Sequence, residues 1–81
     1  MIEEFSWKQG NAEVEVKSNY GDWEEAIAKL KENEEVPAIF MRIVYEDCGE
    51  CYESFQGLSI DQAKFIVGAL SAVVNHLEKN I

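Results

Sequence analysis

The apolar residues of this chain recur with two different periods. In residues 12–17 apolar and charged side chains alternate, which is typical of a β-strand with one solvent-exposed face. In residues 63–77 the apolar side chains recur every three or four positions, which is typical of an amphipathic helix. A chain that carries both patterns belongs to the α+β class. Its 81 residues are enough for one domain, so we predict a single α+β domain over residues 1–81.

Two hairpins are predicted. Residues 2–8 and 12–17 form the first, with Gly10 at its turn and with Phe5 and Trp7 on the buried face. The second joins a largely apolar strand at residues 38–46 to a strand at residues 51–56.

The turn of the second hairpin lies near residues 47–50 and has two possible forms. In the first, Gly49 and Glu50 make a two-residue turn with glycine first. In the second, Gly49 is the left-handed residue of a longer turn. The sequence leaves both forms open.

Two helices are predicted from their caps. Asp22 with Glu25 is a variant of the capping box, and Asn33 is a plausible C-terminal stop. Ser59 with Gln62 is a capping box at the start of the last helix. The order is therefore β-β-α-β-β-α, which predicts a four-stranded antiparallel or mixed sheet with the two helices packed on one face. The strand order stays open.

Acidic residues dominate the charge. Sixteen Asp and Glu against seven Lys and Arg give a net charge of −9. Such a charge repels nucleic acid and anionic membranes and speeds encounters with basic partners, although it also keeps a protein soluble. No apolar run approaches the roughly 20 residues of a membrane span. The N-terminus lacks the features of a signal peptide, so we expect a cytoplasmic protein with reduced cysteines.

The motif Cys48-Gly49-Glu50-Cys51 is the only one in the sequence whose spacing is typical of a redox or metal site. Redox sites place this spacing at a helix N-terminus, whereas here it falls at a strand turn among carboxylates that disfavour the thiolate. A zinc site needs about four ligands, which two chains together could supply with Cys48 and Cys51. A metal-stabilised or redox-sensing dimer is therefore an alternative hypothesis. No nucleotide-binding or hydrolase motif occurs, so we predict no enzymatic activity and no cofactor.

Clusters of carboxylates and an adjacent tyrosine are the candidate partner-binding residues. Carboxylates spaced along a strand and a helix can imitate the phosphates of a nucleic acid and occupy a basic cleft in its place. The alternative is an ordinary solvated surface. The candidates are Glu13, Glu15, Glu24, Glu25, Glu32, Glu34, Glu35 and Tyr20.

One flank of the last helix is a candidate dimer contact. An aromatic ring, two small residues and the single histidine follow one another at helical spacing, which permits close approach of another helix or sheet. These residues are Phe65, Ala69, Ala72 and His76. The same flank would be the contact if the chain is instead a structural subunit of a larger assembly.

In its size, acidity and mixed α+β content the whole chain resembles the small inhibitors of phages and mobile elements, including anti-CRISPR and DNA-mimic proteins. It is also similar in type to bacterial immunity proteins. The resemblance is one of bulk properties and transfers no residues. It implies a stoichiometric inhibitor that binds a basic site on a larger protein, possibly one that itself binds nucleic acid.

Overall fold

A computed structural model describes residues 4–81 of the chain. The parts of the predicted domain and of the predicted first strand that fall on residues 1–3 lie outside the described residues. The elements are β1 Phe5–Gln9, β2 Ala12–Ser18, α1 Trp23–Glu32, β3 Ile39–Asp47, β4 Glu50–Leu58 and α2 Ile60–Asn80.

The four strands form one antiparallel sheet in the order β1-β2-β3-β4. The predicted α+β class and the order β-β-α-β-β-α are confirmed. The sequence left the strand order open. In the sheet, the strands lie in the same order as they occur along the chain. Although α1 separates β2 from β3, these two strands are still direct neighbours.

The turn of the second hairpin differs from both predicted forms. Asp47 pairs with Glu50, so the turn residues are Cys48 and Gly49, one position earlier than a Gly49-Glu50 turn. Both have positive φ, 51° and 81°. Two consecutive positive φ values match the right-handed twist of a hairpin, and glycine accepts this conformation without strain.

Both helix N-termini begin where their caps were predicted. The Asp22 carboxylate accepts a hydrogen bond from the Glu25 backbone N–H at 2.8 Å. The Ser59 hydroxyl accepts from the Gln62 N–H at 3.2 Å, and the Gln62 side chain accepts from the Ser59 N–H at 2.9 Å. α1 ends at its C-cap Asn33, also as predicted.

The buried residues gather at one end of the molecule. In residues 4–81 the buried side chains are Ser18, Ala26, Ala38 and Leu58. Ser18 and Leu58 lie in one row across the sheet, and the Ser18 hydroxyl donates to the Asp22 carbonyl at 2.6 Å. No large side chain in this range is fully buried, so this core supplies little of the burial on which a fold depends.

A close contact joins both ends of the α1 region to β4. The Asn19 side chain donates to the Pro37 carbonyl at 2.7 Å, and both residues approach Gly57. A Cβ at Gly57 would lie 3.0 Å from Asn19 Nδ2 and 3.2 Å from Pro37 Cβ. Glycine at this position is what lets the two loops lie against the strand.

Alternation along the strands separates the sheet into two faces. The first, called the apolar face below, carries Phe5, Trp7, Val14, Val16, Ile39, Met41, Ile43, Tyr45 and Tyr52. The other, called the charged face, carries Lys8, Glu13, Glu15, Lys17, Arg42, Glu46 and Glu53. We expected Phe5 and Trp7 to be buried, but both are more than half exposed. The buried residues of this face, Ser18 and Leu58, lie in a different row of the sheet.

α2 packs against the rest of the chain over a shorter length than its apolar stripe predicts. No residue of α2 is buried, and only Ala63 and Ile66, near its start, are half-buried. The apolar stripe that was expected to line the core is open to solvent from Val67 to Leu77. Neither helix of residues 4–81 is long and apolar enough to cross a membrane.

Candidate functional site

The α1 acidic segment, residues 22–35, contains six acidic residues and two lysines. Its candidate binding residues Glu24, Glu25, Glu32, Glu34 and Glu35 are all exposed. Within residues 4–81 none of these five carboxylates forms an ion pair. The segment therefore carries uncompensated negative charge at the molecular surface.

Helix geometry places the five carboxylates in two groups. Glu24 and Glu25 occupy the first turn of α1, where they also suit the positive end of the helix dipole. Glu32 ends the helix about 10 Å farther along, and seven residues after Glu25 it returns to the same helix face. A basic surface that spans α1 can meet both groups.

The second group continues into a loop with a defined shape. The Asn33 side chain accepts a hydrogen bond from the Glu35 N–H at 3.0 Å, and its carbonyl accepts from the Val36 N–H at 3.3 Å. Such side-chain turns fix the backbone after a helix. Glu34 and Glu35 are therefore carried on an ordered loop.

On the sheet, Glu13 is compensated within the chain. Arg42 Nη1 lies 3.2 Å from the carboxylate of Glu13, and Arg42 Nε lies 3.4 Å from that of Glu53. Partial loss of water by itself lowers the pKa of Arg42, but the hydrogen bonds and charges of Glu53 and Glu13 more than offset this and raise that pKa above its ordinary value. The three side chains form one ion-paired cluster on the charged face.

Glu15 is compensated in the same way by its neighbour on β2. Lys17 Nζ lies 3.5 Å from the Glu15 carboxylate and 5.4 Å from the centre of the Phe40 ring. The Phe40 ring packs in turn against Phe55, with their centroids 5.9 Å apart. Glu13 and Glu15 thus differ from the carboxylates of α1, because each already has a cation beside it.

Tyr20 lies in the loop that leads into α1. It is half-buried, and its backbone N–H donates to the Ser18 hydroxyl at 3.1 Å. This position places an aromatic ring close in sequence to the first group of α1 carboxylates.

The two cysteines are free and exposed. Cys48 lies in the turn, where its thiol donates to an Asp47 carboxylate oxygen at 3.3 Å, and Cys51 lies on β4 opposite Glu46. In residues 4–81 no group of three or more His, Cys, Asp or Glu side chains could hold a metal ion. A metal shared between two chains stays a prediction.

A further acidic group surrounds this turn. Glu46, Asp47 and Glu50 are exposed, and the Tyr52 hydroxyl donates to the Glu50 carboxylate at 2.5 Å. That hydrogen bond, with a smaller contribution from loss of water, raises the pKa of Tyr52.

Sequence reasoning missed a cleft of about 550 Å³ between the end of α1 and the start of α2. Its lining combines apolar side chains with charged side chains of both signs. It is lined by Ile27, Leu30, Lys31, Glu34, Glu35, Ile60, Asp61 and Lys64. The missing signal is a tertiary one, because no local pattern places the two helix ends side by side.

All four candidate dimer-contact residues of α2 are exposed. Phe65 is 75% exposed, and Ala69, Ala72 and His76 are in the exposed class as well. The flank is therefore accessible, together with the wider apolar stripe next to it.

Comparison with protein families, with curated proteins and with solved structures finds no match for this chain.

Proposed function

We propose that this protein is a small non-enzymatic binding protein that acts as a stoichiometric inhibitor by docking an acidic surface on a basic site of a larger protein. The observation that carries the proposal is the set of five exposed α1-segment carboxylates that form no ion pair in the described part of the chain. Unpaired surface charge exerts a field on an incoming partner, whereas paired charge largely cancels.

The docking surface centres on the α1 acidic segment. Glu24 and Glu25 at one end and Glu32 at the other lie on a single rigid helix, with Glu34 and Glu35 on the ordered loop beyond it. Fixed charges lose little freedom when a partner binds. Tyr20, which is close in sequence to Glu24, is the proposed aromatic contact of this surface.

Glu13 and Glu15 have a smaller part in docking. A partner's cation would have to compete with Arg42 or Lys17 for their carboxylates. We therefore assign them to the long-range field of the −9 charge rather than to direct contacts.

The mechanism is substitution for a polyanion. A basic site binds nucleic acid because its Lys and Arg side chains neutralise the phosphates and release the cations condensed around them. Carboxylates spaced along α1 occupy that site and exclude the natural ligand. We propose that this takes place in the cytoplasm, where the two exposed thiols stay reduced.

The proposal is tested with two charge-matched triple variants. One neutralises the α1 segment through Glu32→Gln, Glu34→Gln and Glu35→Gln. The control neutralises the hairpin turn through Glu46→Gln, Asp47→Asn and Glu50→Gln, so that both variants change the net charge equally. A basic partner is isolated with the tagged wild-type chain at about 20 mM salt, where screening is weak. Its dissociation constant for each variant is then measured by calorimetry.

We expect the α1 variant to lose at least about tenfold in affinity and the turn variant to change much less. We also expect wild-type affinity to fall between about 50 and 500 mM salt, because screening shortens the reach of the field. Equal losses from both variants, or an affinity independent of salt, would contradict the proposal.

A second candidate function is that of a structural subunit of a larger assembly. The specific observation in its favour is the exposed length of α2, where Val67, Leu70 and Leu77 are each more than half exposed.

A further inference from the structure

Two apolar surfaces of this molecule are open at the same time. On α2, Phe65 is 75% exposed and Leu70 59% exposed. On the apolar face of the sheet, Phe5, Trp7 and Tyr52 are each more than half exposed. Contiguous exposed apolar surface of this extent marks an interface in a folded protein.

The accessible surface area shows how much surface a single chain leaves unburied. The chain exposes 6518 Å². A compact monomer of this mass exposes about 4,900 Å², so the excess is about 1,600 Å². The radius of gyration is 15.0 Å, against about 12 Å for a compact chain of this length.

The connection from β4 to α2 prevents the chain from covering this surface with its own helix. β4 ends at Leu58 and α2 begins at Ile60, which leaves Ser59 alone between them. Both capping-box hydrogen bonds hold Ser59 in place. Strand-to-helix connections that fold a helix back on its sheet use about 2–6 residues, so a single residue is shorter than this range.

We infer that the occupant of both surfaces is a second copy of this chain, in a twofold dimer in which each α2 packs on the apolar face of its partner's sheet. A short connection between two elements favours the exchange of one of them between two copies of a chain. The two surfaces then bury each other.

Their dimensions agree. An α2 of 21 residues is about 31 Å long. The two longest strands, β3 and β4, have nine residues each and are about 30 Å long. If each chain buries its excess, the dimer buries about 3,200 Å², within the range of about 2,000–5,000 Å² for obligate homodimers.

The distribution of charge identifies a second copy rather than a basic partner. Two chains of −9 repel each other, so a contact between them is least opposed where it brings no charged residues together. In the described strands the only charged residues on the apolar face are Asp47 and Glu50, beside the turn. The residues of all three ion pairs of residues 4–81 lie on the opposite face. A neutral surface of this kind suits a like-charged copy.

The first test changes the connection. Four residues, Gly-Ser-Gly-Ser, are inserted between Leu58 and Ser59, which leaves the capping box intact. We expect the wild type to have twice the 9.2 kDa chain mass by light scattering and the insertion variant to have the mass of one chain. With a longer connection α2 reaches its own sheet. A monomeric wild type, or an insertion variant that stays dimeric, overturns the exchange.

The second test uses two adjacent residues of α2. Leu70→Glu adds a charge within the apolar stripe, and Ser71→Glu adds the same charge on the polar side. Because Leu70 is exposed in the single chain, its replacement removes no buried side chain from the protomer. We expect Leu70→Glu to raise the dimer dissociation constant by about 100-fold or more, since a buried unpaired charge is costly, and Ser71→Glu to leave it nearly unchanged. Equal dissociation constants for the two variants overturn the inference.

A third measurement locates the contact. In a dimer mixed from isotope-labelled and unlabelled chains, intermolecular nuclear Overhauser effects connect α2 methyl groups, such as those of Val73, with Met41 and Ile43 of the other chain. Such effects confined to pairs of α2 helices would overturn packing on the sheet.

Discussion

On the charged face of the sheet Arg42 lies between Glu13 and Glu53, at 3.2 and 3.4 Å, and Lys17 lies 3.5 Å from Glu15. On the apolar face Trp7 and Ile43 remain 51% and 41% exposed. The two faces are built on the same strands, one residue out of phase. One carries ion pairs that form within a single chain, and the other leaves large apolar side chains exposed to solvent.

The difference shows how one sheet can serve two associations. Exposed apolar area favours a permanent contact with little dependence on salt. Unpaired carboxylates on α1 favour a contact that salt weakens. The charged face separates these roles, because its ion pairs neither attract a basic partner strongly nor oppose a second chain.

We expect the largest effect when the same charge is placed on each face of the sheet in turn. Ile43 and Val44 are adjacent on β3 but point to opposite faces. We expect Ile43→Lys to lower the free energy of unfolding by about 3 kcal/mol per chain, because it buries an unpaired cation in the interface. Val44→Lys places its charge opposite Glu13 and Glu53, and we expect a change of less than about 1 kcal/mol. Denaturant unfolding measures both, and equal losses would show that the faces are equivalent.

A smaller effect is expected from the ion-paired cluster. Arg42→Gln leaves the Glu13 and Glu53 carboxylates without their shared cation, so we expect a modest decrease in the unfolding midpoint that shrinks as salt is added. Lys17→Gln is the matched control, since Lys17 serves one carboxylate rather than two. A larger loss from Lys17→Gln would show that the shared cation is not what organises this face.

The smallest expected effect is a titration on the apolar face. The hydrogen bond to Glu50 favours the protonated Tyr52 phenol, so the pKa of Tyr52 in the folded protein is raised above its ordinary value of 10.0. The stability this contributes is present below pH 10 and is lost as pH rises through the raised value. We expect Glu50→Gln to move the pKa of Tyr52 back towards that value, as followed by tyrosinate absorbance, with Tyr52→Phe to assign the signal. An unchanged titration in Glu50→Gln would show that this hydrogen bond does not control the phenol.

Local signals predicted most of this fold. The caps at Asp22 and Ser59 and the alternation along β2 depend on residues within a few positions of each other, and the structure agrees with them. The turn at Cys48 was displaced by one residue, because a non-glycine residue with φ of 51° is not expected from sequence.

The candidate site could be predicted less well from the sequence than the fold. Glu13 and Glu24 look alike as exposed acids, and only the pairing of β2 with β3 shows that Arg42 lies beside Glu13. The exposure of α2 was missed for a related reason. An apolar stripe predicts burial, but it does not say whether the chain itself or a partner provides it.

The contact of Asn19 and Pro37 with Gly57 has a consequence for recognition. It anchors the entry and the exit of α1 to a strand two positions away from β2, so that α1 forms a closed and braced loop. An acidic helix mounted in this way has already lost its conformational freedom before any partner arrives. Its complexes should therefore form as rigid-body encounters, at rates set by diffusion and charge rather than by folding on contact.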